Sequence, residues 1–368
     1  MKINLIFFLA RFGFGGAGNS VFKLAHSLNQ KKFIISIICL GKCAYQKELS
    51  KKGIKVYMLQ STKLIFTFFK LKKLVSNLIK KNTKNILVSN INYTNIFCSI
   101  LFWNNKKLKL VGFERTPLKE LELYFDFIDF FKKSILKVLL YFFYKRLDKI
   151  VCNSEYICRY LKNKYQYNSI AIHPPSILKN KKSNKKYKSL NFKNKKINIT
   201  TVCRLSKEKK IKDILLALNG IKNKNFLFHI VGEGPEKNKL INLAKTLGLI
   251  KKVRFYGFRK KISSILSKSD LYINSSLFEG FPNSVVEAAD SGVPIISSQS
   301  HGGINEILSY GKYGTLYNGG YLILRKKIND FLKNPKKFFW KAKLAKVNVG
   351  KFNLQNHRNK FENLIKNL

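Results

Sequence analysis

Short apolar runs recur along the chain and alternate with longer stretches in which apolar positions repeat at helical spacing. Ile3 to Leu9, Phe33 to Leu40, Ile54 to Met58, Ile86 to Val88, Leu108 to Phe113 and Ile150 to Cys152 are apolar with little alternation, as strands covered on both faces are. Each is followed by a loop and a helix-length segment, so the expected arrangement is α/β, a parallel sheet with crossover helices. Between Lys179 and Lys196 the chain reads KNKKSNKKYKSLNFKNKK, a block of like charge without core-forming periodicity, and the linker is placed there. The alternation restarts with Ile197 to Val202, Phe226 to Val231, Val253 to Tyr256, Leu271 to Asn274 and Val293 to Ser297, which predicts a second α/β domain of similar build. Two such domains facing each other would enclose a cleft, and in open parallel sheets ligands bind beyond the carboxyl ends of the strands.

Composition narrows the picture. A chain of 368 residues with 45% apolar content exceeds what one core usually organises and has enough apolar residues for two. Lys and Arg total 71 against 19 acidic residues, which favours phosphates, nucleic acid or anionic lipid as partners. An AT-rich genome would produce the same excess of Lys, Asn, Ile, Phe and Tyr, so the charge has two possible origins. No nucleic-acid module is recognisable and the lysines are spread, so nucleic acid is not an expected partner. The six cysteines form no paired C-x-x-C arrangement and read as reduced core residues of a cytosolic protein. The start, MKINLIFFLARFGFGG, reads as a buried first strand running into a glycine loop rather than as a signal peptide. No apolar run reaches the roughly 18 residues a spanning helix needs, so an integral membrane protein is not expected.

The loops after the strands hold the candidate chemistry. After the first strand, Gly13 to Gly18 (GFGGAG) can cradle a phosphate on backbone amides, with Asn19 as the expected helix cap and Val21, Leu24, Ala25 and Leu28 as the buried face. After Val202 comes Cys203-Arg204-Leu205-Ser206-Lys207-Glu208-Lys209, where Arg204 as a fork and Lys209 as a point charge straddle one turn and can grip a diphosphate. The strongest signal is the run from Ser276 to Ala289, SLFEGFPNSVVEAA. Glu279 stands on a Gly/Pro-rich loop, where a carboxylate can accept from sugar hydroxyls; Glu287 stands eight positions on. Ser284-x-x-Glu287 is also a capping box, so Glu287 has a purely structural reading as well. Amides near Asn283 and Ser284 would face a leaving phosphate. His301, in the turn HGGINEI, carries little weight. Glu114 and Arg115, at the end of a first-domain strand, are placed to reach an acceptor or to pair with each other.

These elements together resemble the GT-B-fold glycosyltransferase family 4, retaining transferases of group 1. The resemblance rests on GFGGAG, RLSKEK, HIVGEGP, VRFYGF and EGFPNSVVEAADSGVPII with the following GGINEI, and covers essentially the whole second domain. In the first domain it rests on the start and on Val151-Cys152-Asn153-Ser154-Glu155. It implies two Rossmann-like domains facing across a cleft: 1–178 on the acceptor side, a basic linker at 179–196, a nucleotide-sugar-binding domain at 197–345, and 346–368 as a helix packing back on the first domain. It further implies that Arg204 and Lys209 neutralise the nucleotide diphosphate, Glu279 orients the donor sugar and Glu287 holds the ribose hydroxyls. Gly15 and Gly16 approach the diphosphate, and Phe281, Asn283 and Ser284 complete the donor loop.

Two departures stand out: Lys210 where the family usually has Gly, and GGAGNS where it usually has GGAER. No Asp-x-Asp metal motif occurs, so no cofactor or metal is expected and activity should persist in EDTA. The donor is expected to be a nucleotide-sugar, UDP before GDP, and the acceptor a glycan or lipid-linked acceptor in cell-surface polysaccharide, lipopolysaccharide or glycoprotein glycan assembly. An inactive GT-B homologue serving as a partner subunit, or a GT-B-like epimerase, is the alternative. Two stretches rich in aromatics and Lys, from Leu64 and from Leu123, suit either an anionic membrane surface or packing on the sheet. The expected location is cytoplasmic, peripheral on the inner face of the membrane.

Overall fold

The structure is a computed structural model, and it describes residues 2–177, 196–221, 223 and 225–368. The expected linker lies outside the described residues except for Lys196. Contacts divide the chain into two compact units, Met1–Pro175 with Phe352–Leu368, and Ser176–Lys351.

The first unit is built on seven parallel strands: β1 (Ile3–Leu9), β2 (Phe33–Cys39), β3 (Lys55–Met58), β4 (Lys84–Asn90), β5 (Lys109–Glu114), β6 (Lys149–Cys152) and β7 (Ser169–Ala171), in the order β3-β2-β1-β4-β5-β6-β7. Successive residues of β1 explain why the run is apolar throughout. Leu5, Phe7 and Leu9 join the core on one face, while Ile6 and Phe8 join the core on the other. The last helix, Leu354–Lys366, belongs to this unit and places Phe361 against Phe7 and Phe113, with ring centroids 6.1 and 5.9 Å apart.

The second unit holds β8 (Ile197–Val202), β9 (Phe226–Val231), β10 (Val253–Phe255), β11 (Leu271–Asn274), β12 (Phe278–Glu279), β13 (Ile295–Ser298), β14 (His301–Gly302) and β15 (Thr315–Tyr317). Six of them form a parallel sheet in the order β10-β9-β8-β11-β13-β15, and β12 pairs separately with β14. In each sheet the chain order reverses once, between β1 and β4 and between β8 and β11. At such a reversal the two following loops diverge to opposite faces and leave a crevice beyond the strand ends.

All six cysteines are free, five of them buried. No described helix is long and apolar enough to cross a membrane.

Candidate functional site

At the reversal point of the second sheet, the loop after β8 carries Arg204 and Lys209, and the loop after β11 carries Ser275, Ser276 and Glu279. The two loops are laced together by backbone. Leu277 N donates to Glu208 O at 2.8 Å, and Ser275 Oγ donates to Lys209 O at 2.6 Å. Lys209 Nζ then lies 2.7 Å from Glu279 Oε1, with both side chains mostly covered. Burial alone would lower the Lys209 pKa, but the Glu279 carboxylate outweighs it and raises the value, so this lysine stays a cation at any physiological pH. Ser276 Oγ sits 2.8 Å from the same carboxylate oxygen and 3.0 Å from Asn274 Oδ1, so one hydroxyl proton serves either acceptor. The guanidinium of Arg204 is exposed and has no ion pair among the described residues.

Glycines fix this geometry from behind. Gly302, at φ +124°, pairs with Glu279 so closely that a Cβ would fall 1.5 Å from the Glu279 carbonyl oxygen, and Gly303 N donates to Gly280 O at 2.9 Å. Gly232, at φ +142°, is pressed against the Cys203 carbonyl in the same way. Leu205 N donates to Glu233 O at 3.0 Å, so the loop after β9 braces the loop bearing Arg204. Gly232 N also donates to Gly257 O at 2.9 Å, which joins the loops after β9 and β10.

The capping-box reading of Glu287 fails. The helix Asn283–Asp290 begins with Pro282 as its N-cap, which has no side-chain acceptor, and Ser284 lies inside the helix with its hydroxyl 2.9 Å from the buried Tyr272 hydroxyl. The amides of Asn283 and Ser284 reach no acceptor among the described residues, as expected for the first turn of a helix. Asn283 Oδ1 instead accepts from Ser176 Oγ at 2.7 Å. Phe281 is buried, so its ring serves the packing of the loop. His301 is exposed and lies opposite Phe278 in the β12–β14 pair.

Lys210 occupies a left-handed conformation, φ 45° and ψ 39°, at the entry to the helix Ile211–Asn219. The departure from glycine there leaves helix entry intact and places a Cβ where one is disfavoured.

In the first unit, Gly15 is the N-cap of the helix Gly16–Ser27, and Asn19 N donates to Gly15 O at 2.9 Å. Asn19 is therefore inside the first turn rather than its cap. Gly15 and Gly16 are exposed, whereas Gly18 is the glycine that packing requires, since its Cβ would meet the Gly13 carbonyl oxygen at 2.2 Å.

The structure corrects the reading of Glu114 and Arg115. Glu114 is wholly buried and accepts from Tyr144 Oη at 2.5 Å and from the Arg115 amide at 3.1 Å, while the Arg115 guanidinium binds Asn90 Oδ1 at 2.9 Å. Their side chains form no ion pair among the described residues, although the Arg115 charge still pulls the Glu114 pKa down.

Family models fit both halves of the chain: one described as Glycosyltransferase Family 4 matches residues 14–177, and one described as Glycosyl transferases group 1 matches 182–342. The chain belongs to the family 4, group 1 glycosyltransferases. Among curated relatives of this glycosyltransferase-family chain, an uncharacterized glycosyltransferase of Methanocaldococcus jannaschii is 31% identical over 50% of the chain and 51% of its own length. An Escherichia coli UDP-Gal:alpha-D-GlcNAc-diphosphoundecaprenol alpha-1,3-galactosyltransferase is 28% identical over 60% and 56%. The chain thus matches about half the length of these relatives. A Campylobacter jejuni N-acetylgalactosaminyltransferase named for a diphospho-undecaprenol-linked substrate is 27% identical over 84% of both chains. Among solved structures, Anabaena HepE in complex with UDP and glucose superposes with a TM-score of 0.79 at 18% identity over 100% of both chains, which shows the GT-B fold.

Proposed function

We propose that this chain is a metal-independent, retaining hexosyltransferase that moves a sugar from a nucleotide-sugar, UDP before GDP, to a glycan or lipid-linked acceptor in cell-surface polysaccharide, lipopolysaccharide or glycoprotein glycan assembly. The observation that carries the proposal is the Lys209–Glu279 pair at the reversal point of the second sheet, beside unpaired amides at the start of the helix Asn283–Asp290. The chemical barrier is departure of a nucleoside diphosphate from an anomeric carbon, so fixed positive charge on the leaving group is the main lever. Lys209 has donors beyond the one given to Glu279, and the exposed Arg204 supplies a fork for the same phosphates. Glu279, held by Lys209 and Ser276, accepts from hydroxyls of the donor sugar. Glu287, one turn into the helix, holds the ribose. The joined loops at Gly232 and Gly257 offer backbone to the base. The relatives named for UDP-galactose and for undecaprenyl-linked substrates, and the HepE complex with UDP, support the donor and acceptor classes.

Membrane association is part of the same reading. The helix Phe127–Phe143 buries only Leu136 and Leu140, and exposes Phe127, Ile128, Phe130, Phe131, Ile135 and Phe142 among lysines. Ile65, Phe66 and Phe69 are 70, 70 and 82% exposed. Rings with interspersed lysines suit the headgroup region of an anionic leaflet, which agrees with a peripheral, inner-face location.

The test is calorimetry in EDTA with UDP-, GDP-, ADP- and CMP-sugars on the purified chain, with Lys209→Ala and Glu287→Ala alongside. One nucleotide-sugar should bind, and both substitutions should weaken it. Folded protein that binds none would remove the transferase reading and favour the inactive homologue.

A further inference from the structure

A cavity of about 520 Å³ opens in the second unit between the residues preceding β15 and the helices Tyr321–Lys333 and Pro335–Val349. It lies at the amino-terminal edge of the sheet, since its wall includes Gly314 and Thr315 at the start of β15, whereas Lys209 and Glu279 follow the carboxyl ends of β8 and β11. It is therefore separate from the site described above.

Four lysines line it: Lys327, Lys333, Lys337 and Lys341. Asp330 is the one acid on the wall, and it forms no ion pair among the described residues. Lys341 is anchored, donating to Gly311 O at 2.7 Å and Gly314 O at 3.1 Å, so its ammonium is held at the wall rather than free to swing into solvent. Burial, followed by the charges of Lys337 and Lys327, depresses its pKa. Like charges gathered around one concavity repel one another, and an anion that enters relieves that repulsion while gaining charge-assisted hydrogen bonds. The volume suits a small phosphorylated ligand.

We propose that this cavity is a second anion site, taking a ligand that bears two or more phosphate charges, either a soluble pyrophosphate-like compound or the phosphates of a lipid headgroup. Lys341 forms the fixed part of the site with the partly covered Lys327 beside it, and the exposed Lys333 and Lys337 close over the ligand.

The experiment is calorimetric titration of the full chain with inorganic pyrophosphate at near-physiological salt, in an Arg204→Ala/Lys209→Ala background that silences the expected donor-diphosphate site. One pyrophosphate site should remain. Adding Lys333→Ala and Lys337→Ala should weaken it about tenfold or more, because two charge-assisted contacts are lost. Neither side chain makes a hydrogen bond among the described residues, and both are exposed, so the fold is retained. Lys47→Ala with Lys51→Ala, two exposed lysines of the first unit, is the control and should change the affinity less than twofold. Loss of all pyrophosphate binding in the background variant, an unchanged affinity without Lys333 and Lys337, or an equal loss in the control would each overturn the proposal. Pelleting with vesicles containing cardiolipin, whose headgroup carries two phosphates, then assigns the source: a drop on removing Lys333 and Lys337 identifies a headgroup, and unchanged pelleting alongside lost pyrophosphate binding identifies a soluble phosphate.

Discussion

Replacing Glu114 by Gln should stabilise the first unit at alkaline pH and leave it nearly unchanged in acid. Burial raises the Glu114 carboxyl from 4.5 to about 7, against the hydrogen bond from Tyr144, the amides of Thr116 and Arg115, and the Arg115 charge, all of which pull it down. The folded state therefore holds a proton that the unfolded chain releases at lower pH. Stability from this group is complete below about pH 4.5 and is lost as pH rises through about 7, for a total of about 3 kcal/mol. Gln is neutral throughout. Its carbonyl keeps the two amides satisfied, and its amide donates to the Tyr144 oxygen, which also accepts from Asn95 Nδ2 at 3.1 Å.

The assay is urea denaturation between pH 5 and pH 8, read from Trp103, which packs edge-on against Phe143 in the same unit, in a Trp340→Phe background that removes the other tryptophan. The variant and parent should lie closest near pH 5 and diverge toward pH 8, where the difference in unfolding free energy reaches about 3 kcal/mol. A constant difference across the range, or a variant less stable at pH 8, would refute the reasoning. It would mean that the Arg115 field keeps the buried carboxylate ionised.

Lys210→Gly should stabilise the second unit by about 0.5–1 kcal/mol, since relief of the left-handed backbone exceeds the added freedom of the unfolded chain, and Lys210→Ala, which keeps the Cβ, should give no gain in thermal melting. Gly302→Ala should leave a folded protein whose sugar transfer falls by about a hundredfold or more, because the Cβ displaces the Glu279 carbonyl and misaims its side chain; circular dichroism beside an activity assay checks both halves. Lys209→Ala should lower kcat about a hundredfold to a thousandfold, as expected for removing one charged donor to a developing anion. Glu279→Gln, which keeps the shape but weakens the Lys209 contact, should cost less than Lys209→Ala in nucleotide binding and more in transfer.

The sheets were legible because strands covered on both faces are written as short, mainly apolar or β-branched runs without helical spacing. The bounds of β1, β8, β9 and β11 agree residue for residue with those runs. Strands β7 and β15 were not legible: three residues each, SIA and TLY, are too short for any periodicity to register. Helix starts were misread for a related reason. Asn19 and Ser284 are good caps by residue type, but Gly15 and Pro282 take the position through backbone conformation alone, which leaves no side-chain signature. Lys209 and Glu279 were legible as separate candidates, and their 2.7 Å contact was not, because it depends on Ser275 and Leu277 lacing together two loops some 66 residues apart in the chain.

The aromatic stretches show where sequence loses the distinction altogether. A helix that is apolar around most of its circumference reads the same whether neighbours cover it or leave it bare. The run from Leu123 onward has rings at nearly every helical phase, so no periodicity separates a core face from an outer one. In the structure its two buried residues, Leu136 and Leu140, are four apart and define a single narrow stripe, while the partly covered Lys133 and Lys137 beside that stripe hold Phe125 and Tyr124, in that order, by cation–π contacts. Packing on the sheet therefore accounts for one stripe of this helix and not for the rings around it. The proposed membrane association rests on this difference, because exposed rings with interspersed lysines suit the interface of an anionic bilayer whereas a narrow packed stripe does not call for them.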